Sequence, residues 1–375
     1  MRTIILGAGI TGLAAGYGKD IPIYEATGEA GGICRSYMKN GFDFSIGGGH
    51  WLFENDKTQK AMEFIRSLVE LKSYDRRAGV YYNKIFPYPI QTYTQQPIVA
   101  TGGCFKHWMG NRFSQAECNM FFFPFNEKYT AGLMDEIVQF DSYKTPPAGS
   151  VGFVSRFHDP VGGLSSLVDK MVEKCDIQYN KRAFLVDSDN KTVVFEDGET
   201  VQYDRLISTV PLNRMLKLCG QDKFDLPYSS VFVLNIGAEP GPNLPDEHWL
   251  YIPFCNSGFY RVGFYTNVNP NKAPKGAVGL SVEMAVLPGK EFEVESTVDA
   301  IVKELQSWGW IGEVITTEPT YVGTAYTWNR TMEEREKHIE WMRARDIIML
   351  GRYATWRFCG MMESIQMGIE VNNYG

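Results

Sequence analysis

The sequence predicts a mixed α/β fold in which a Rossmann-like nucleotide-binding domain joins a small helical domain and an antiparallel sheet. Three observations predict it. Residues 1–25 read as strand, glycine-rich turn, helix and strand. Residues 347–375 return with a buried strand, a glycine turn and a helix. Between them, residues 229–326 alternate apolar and polar positions, broken by Pro, Gly and Asn.

The opening run MRTIILGAGITGLAAGYGKDIPIYEA places Gly7, Gly9 and Gly12 directly after an apolar strand, Thr3 to Leu6. This is a dinucleotide fingerprint in its required context. Gly7 permits the tight turn, Gly9 lets backbone reach a pyrophosphate, and Gly12 lets helix pack on strand. The first helical residues, Ile10 and Thr11, present amides to the phosphates. Glu25 ends the second strand, where a carboxylate accepts ribose hydroxyls, with Ala26 beside it.

The following segment, ATGEAGGICRSY, holds Gly31, Gly32 and Arg35, and GFDFSIGGGHWLF adds Gly47, Gly48, Gly49 and His50. The glycines suit close approach to a flat ring, and Arg35 suits phosphate contact. This element resembles the second motif of FAD-dependent amine-oxidase-type flavoproteins, so the resemblance favours FAD over NAD. The C-terminal run IIMLGRYATWRFCGMMESIQMGIE fits the same pattern. Its strand (Ile347 to Leu350), its Gly351–Arg352 turn and a helix from Met361 and Met362 return the chain to the cofactor. The Rossmann-like FAD-binding domain is therefore discontinuous, over 1–75, 153–225 and 330–375. The helical domain is expected over 92–152, and the antiparallel sheet domain over 76–91 and 226–329.

Composition bounds the partners. The chain has 375 residues, 44% hydrophobic, with net charge −7, which argues against nucleic acid or an anionic membrane. Any anionic ligand needs local arginines. Seven dispersed cysteines without a CxxC pair suit free thiols in a reducing compartment, and five histidines without ligand spacing give no metal site. No apolar run is long enough to span a bilayer. A cytoplasmic protein without membrane insertion is the expectation.

The stretch HWLYIPFCNSGFYRVGFY carries one arginine, Arg261, through an almost wholly aromatic hairpin. Arginine is seldom buried without a partner. It either points to water from an edge strand or faces an anion across an aromatic cleft. If Cys255 to Gly258 form a four-residue loop, Ile252 pairs with Arg261. Tyr251 and Arg261 share a face only if the loop has odd length or carries a bulge.

Five segments in order, FPYPIQ (86–91), PFNEKYT (124–130), PVGGLSSLVDKM (160–171), HWLYIP…FYR (248–261) and GRYATWRF (351–358), resemble the UDP-galactopyranose mutase family along nearly the whole chain. The resemblance implies reduced FAD whose N5 forms an adduct with the sugar of a nucleotide-diphosphate sugar, interconverting pyranose and furanose rings without net redox change. It also implies an external reductant and a homo-oligomer. Arg261 and Arg352 match the family's arginines, Tyr251 and Tyr326 its diphosphate tyrosines, and His50 lies at the flavin's reactive edge. Tyr88, Gln91, Asn126 and Tyr129 match the substrate pocket. Lys128 and Glu127 read as a surface pair. Four positions depart from the pattern around the substrate: Thr130, Leu164, Phe358 and Gly360. A second diphosphate arginine has no clear counterpart, with Arg156 and Lys144 as candidates. The rival readings are an FAD oxidoreductase of the amine-oxidase or protoporphyrinogen-oxidase type and a non-catalytic flavin-binding relative.

Overall fold

The computed structural model of the protein describes residues 1–88, 90, 103–138, 156–221 and 223–374. Five strands form a parallel sheet in the order Ile347–Met349, Arg205–Ser208, Thr3–Leu6, Ile23–Tyr24 and Ile177–Gln178. The central strand is paired on both edges and covered on both faces. Its apolar run Ile4, Ile5, Leu6 is almost fully buried, as a doubly covered parallel strand requires. The helices Ile10–Gly16 and Met361–Ile369 cover one face, where Leu13, Met362 and Ile365 share a core. The two chain ends thus build one layer, as the resemblance to the flavoproteins implies.

A second sheet has seven strands in the order Ile311–Thr327, Tyr228–Pro240, Val278–Val286, Arg261–Phe264, Trp249–Tyr251, Ala78–Tyr82 and Lys84–Pro87. All neighbours are antiparallel except Trp249–Tyr251 and Ala78–Tyr82, which run parallel. That exception differs from the purely antiparallel sheet expected. It follows from the long excursion of chain between those two strands, since parallel neighbours need a crossover rather than a hairpin. Two further strand pairs, Ser36–Lys39 with Phe42–Ser45 and Leu71–Asp75 with Arg156–Pro160, were not anticipated. The turn at Asp189–Asn190 does join antiparallel strands, Ala183–Asp187 and Thr192–Phe195.

Register is the feature that matters for function. Tyr251 pairs directly with Arg261, Arg261 with Glu283, and Glu283 with Val233. One row of residues therefore crosses four adjacent strands on one face. The helical segments Cys118–Phe122 and Phe123–Tyr129 bring Phe121, Phe125 and Tyr129 against this face, beside Val231, Tyr260 and Tyr326.

Beneath the hairpin, His248 is 3% exposed and packs edge-on against Phe157. The Arg77 guanidinium lies 3.3 Å from its Nε2. Burial, then the Arg77 charge, lower its pKa from 6.5 to about 4. The unfolded chain then binds more protons between these values, so His248 contributes stability above pH 6.5 that is lost as pH falls toward 4. The melting temperature is expected to drop across that window, and His248→Gln to flatten the drop. Identical pH profiles for both proteins in thermal denaturation would contradict this.

Candidate functional site

The site starts at the glycine turn. A Cβ on Gly12 would lie 2.0 Å from the Gly7 carbonyl oxygen, so only glycine lets the first helix sit this close to its strand. Gly9 is different: its Cβ would meet nothing within 4 Å. The open space before Gly9 is a path for a ligand's phosphates, and the helix that begins at Ile10 has no side-chain cap over its first amides. Glu25 stands beside this path. Its carboxylate accepts from the Ala8 amide at 2.8 Å and from the Thr27 amide and hydroxyl at 2.9 Å, which fixes its orientation at the end of its strand. Ala26 and Gly32 lie at the same rim, and Gly32 approaches Gly9 directly.

Other expected cofactor residues have protein partners of their own. Arg35 pairs with Glu29. The Met362 side chain is 1% exposed inside the core, so only its backbone can reach a cofactor; Met361 is partly buried ahead of it. The loop Gly47 to Gly49 was expected to be glycine-rich for the sake of a flat ring. The crowding there comes from the protein itself: Gly48 has φ +85°, and a Cβ would lie 3.0 Å from Glu283 Oε1.

Beyond this loop is a small cleft of about 40 Å³, lined by His50, Glu283, Ala325, Tyr326, Arg352 and Tyr353, among others. His50 Nδ1 lies 3.0 Å from the Gly48 carbonyl, so Nδ1 carries the proton and Nε2 is left as an acceptor. Burial lowers the His50 pKa and keeps the ring neutral. Arg352 leaves the turn at Gly351 and donates to the Cys359 and Ala325 carbonyls at 3.1 and 3.2 Å. Phe358 and Tyr326 stack nearly parallel, at 14°, and both rings lie near its guanidinium, at 4.5 and 5.1 Å. Its Nε is buried without an acceptor among the described residues. A cationic side chain with a spare donor beside an open glycine path fits a flavin nucleotide, whose ring and phosphates offer acceptors.

Arg261 is not on an edge strand. Nine residues separate its strand from Tyr251, an odd number, so the two side chains share a face as direct cross-strand partners. The guanidinium grips Glu283 through Nε (2.8 Å) and Nη2 (2.6 Å). Glu283 also accepts from the Tyr260 hydroxyl at 2.8 Å, and Tyr260 meets the Tyr326 hydroxyl at 3.1 Å. Burial opposes the Arg261 charge, but Glu283 and the surrounding tyrosines together outweigh it and raise its pKa, so the group stays protonated. Burial raises the phenols of Tyr251, Tyr260 and Tyr326. All three therefore keep their protons at neutral pH.

Sequence reasoning missed Glu283. The signal was a lone carboxylate in the apolar strand VGLSVEMAV, which demands a partner. It also missed Arg76, whose guanidinium lies 5.7 Å from the centre of the Tyr88 ring and whose charge acts on the Tyr251 phenol. Tyr88 packs on Tyr251, ring to ring at 4.6 Å.

Several expectations need correction. The Asn126 amide is 7% exposed and donates to the Phe122 carbonyl at 2.7 Å, inside the helical segment. Tyr129 is buried behind Tyr326, ring to ring at 4.4 Å, as backing for the site. Thr130 and Leu164 are buried in helix packing, so they do not border the cleft. Gly360 caps the closing helix, its amide donating to Glu363. Arg156 is an exposed partner of Asp75. Lys128 turns inward to the Phe259 carbonyl, at 2.6 Å, instead of pairing with Glu127 at the surface. Gln91 and Lys144 lie outside the described residues.

Comparison with known proteins places this geometry. Residues 102–369 match the family described as flavin containing amine oxidoreductase, and residues 5–68 match an NAD(P)-binding Rossmann-like domain. Among solved structures, a reduced UDP-galactopyranose mutase aligns over 98% of this chain and 94% of its own, with TM-score 0.88 and 22% identity. A fatty acid isomerase from P. acnes that produces CLA aligns over 99% and 98%, with TM-score 0.68 and 14% identity. Putrescine oxidase bound to putrescine aligns over 99% and 98%, with TM-score 0.66 and 17% identity. At such identities these likenesses establish the fold.

The open space before Gly9 gives a direct test of the cofactor path. Gly9→Val is expected to fold normally, because a Cβ there meets no protein atom within 4 Å, yet to purify without the yellow flavin of the wild type. A variant that retained FAD would contradict the placement. The family match spans more than half of the sequence. The chain belongs to the flavin-containing amine oxidoreductase family and is an FAD enzyme of the amine-oxidase superfamily.

Proposed function

We propose that this enzyme interconverts the pyranose and furanose forms of a nucleotide-diphosphate sugar, UDP-galactose or a relative, on reduced FAD. The observation that carries the reading is the row Tyr251–Arg261–Glu283, whose Glu283 lines the same cleft as Tyr326 and Arg352. An apolar substrate being oxidised has no use for two arginines and a bank of protonated phenols. A diphosphate does, because it takes many charged and neutral hydrogen bonds at once. The high TM-score to a mutase structure supports the same reading.

Reduced FAD would supply the nucleophile for the anomeric carbon. The protein's part is to hold the diphosphate as it departs and returns. Tyr251 and Tyr326, kept protonated by burial, donate to its oxygens. Arg261 offers the guanidinium edge that Glu283 leaves unused, and Arg352 adds a fixed positive charge. His50 Nε2 accepts from a hydroxyl near the ring. Dithionite-reduced protein is expected to convert UDP-galactofuranose to UDP-galactopyranose on chromatography, with no stoichiometric consumption of reductant. Peroxide formed in step with substrate loss would support the amine-oxidase alternative instead.

The Arg261–Glu283 pair changes what a mutation reports. The Glu283 side chain is 3% exposed, so Arg261→Ala leaves a buried carboxylate unpaired. Such a loss costs about 3–5 kcal/mol of stability, enough to obscure any effect on binding. The double variant Arg261→Met with Glu283→Met is expected to recover most of the melting temperature while still binding UDP roughly ten- to a hundred-fold more weakly, the worth of one charged hydrogen bond. Wild-type affinity in that variant, measured calorimetrically, would remove Arg261 from the substrate site.

A further inference from the structure

The loop that leads into Tyr260 and Arg261 is fastened to its surroundings by side chains that the substrate chemistry does not use. Lys128, on the helix Phe123–Tyr129, reaches across to place Nζ 3.3 Å from Cys255 Sγ and 2.6 Å from the Phe259 carbonyl. The Cys255 thiol donates to the same carbonyl at 3.1 Å. The Glu304 carboxylate accepts from the Asn256 and Ser257 amides at 2.7 and 2.8 Å. The amine and the sulfur are thus neighbours with little freedom to separate. A cleft of about 520 Å³ opens onto Lys128, lined also by Ser257, Gly258, Met284 and Lys290, and the neighbouring Cys255 is itself only partly buried. A small oxidant can enter there.

We infer that Lys128 and Cys255 form a redox-cleavable covalent link, a sulfenamide, when the protein meets a peroxide. The chemistry closes without another reagent. The Lys128 amine takes the thiol proton, and the thiolate attacks a peroxide oxygen. The O–O bond breaks, the departing hydroxide takes the proton back from Lys128 and leaves as water, and the sulfur is oxidised by two electrons to a sulfenic acid. The Lys128 lone pair then attacks that sulfur. An S–N bond forms, the S–O bond breaks, and the hydroxyl leaves as water with a proton from the amine. One thiol, one amine and one hydrogen peroxide give one S–N bond and two waters. A thiol reductant reverses the change by attacking sulfur and releasing the amine.

The surroundings favour each half of this reaction. Burial lowers the Lys128 ammonium, which raises the share of free amine, and neighbouring Cys255 and Glu304 oppose that only in part. Burial also raises the Cys255 thiol, but here Lys128 pulls against it. At Cys34 and Cys175 burial pushes the thiol up to about 12 and about 11, which leaves both unreactive. The link would tie the helix that carries Tyr129 to the loop that delivers Arg261. It would thereby record oxidative conditions at a site whose flavin, when reduced, can itself give peroxide with oxygen.

The test uses the whole protein, treated with hydrogen peroxide, alkylated, digested and read by mass spectrometry. The expected product joins the Lys128 and Cys255 peptides, is lighter by two hydrogen atoms than their sum, and disappears with dithiothreitol. Cys255→Ser should abolish it. Lys128→Arg should instead leave a sulfenic acid at Cys255 that dimedone traps. An unoxidised Cys255, or oxidation without a link in the wild type, would overturn the inference. So would a link that retains an oxygen atom.

Discussion

The Arg261–Glu283 pair is the interaction on which the site depends. A guanidinium and a carboxylate placed opposite each other in adjacent strands can meet only in one register, and a slip of one residue would send both to the other face. The same register sets Tyr251 beside Arg261 and, through Tyr260, Tyr326 beside Glu283. Glu283 also presses on Gly48 in the loop that leads to His50. One ion pair thus joins the sheet, the aromatic wall and the glycine loop.

Such a pair is not a simple gain in stability. Removing two charges from water costs several kcal/mol each, and their attraction offsets this only with good geometry and further hydrogen bonds. Here the bonds are present: two from Arg261 and one from Tyr260 to a single carboxylate. The structural consequence is an arginine fixed before any ligand arrives, with little side-chain entropy left to lose on binding. The electrostatic consequence is that Glu283 offsets its charge. Arg352, spent on two carbonyls and flanked by two rings, is then the net positive centre of the cleft.

The nucleotide-binding layer was legible because its determinants are local. Gly7, Gly9, Gly12 and Glu25 fall within one strand–turn–helix–strand unit, and each has a steric or charge reason that needs no knowledge of the rest of the chain. The return of residues 347–369 to that layer was legible only through resemblance, since no local pattern says where a strand will dock. The substrate side was harder. Asn126 and Tyr129 sit in a helix whose inward face depends on packing against a distant sheet, so their motif did not reveal their direction. Arg261 was singled out correctly as an arginine that needs a partner, yet its partner lies twenty-two residues away on a strand that itself reads as apolar core. Parallel pairing of Trp249–Tyr251 with Ala78–Tyr82 was invisible for the same reason. Hydrophobic period gives the face of a strand but not its neighbour.

In the proposed function this cleft breaks and re-forms the bond between the anomeric carbon and the diphosphate. Positional isotope exchange measures that event directly. UDP-galactose carrying heavy oxygen in the bridge between sugar and phosphorus is incubated with the protein and followed by phosphorus NMR. Scrambling of the label into the non-bridging positions with reduced flavin, and its absence with oxidised flavin, is the result the account predicts. A label that stays in the bridge with reduced flavin would contradict it.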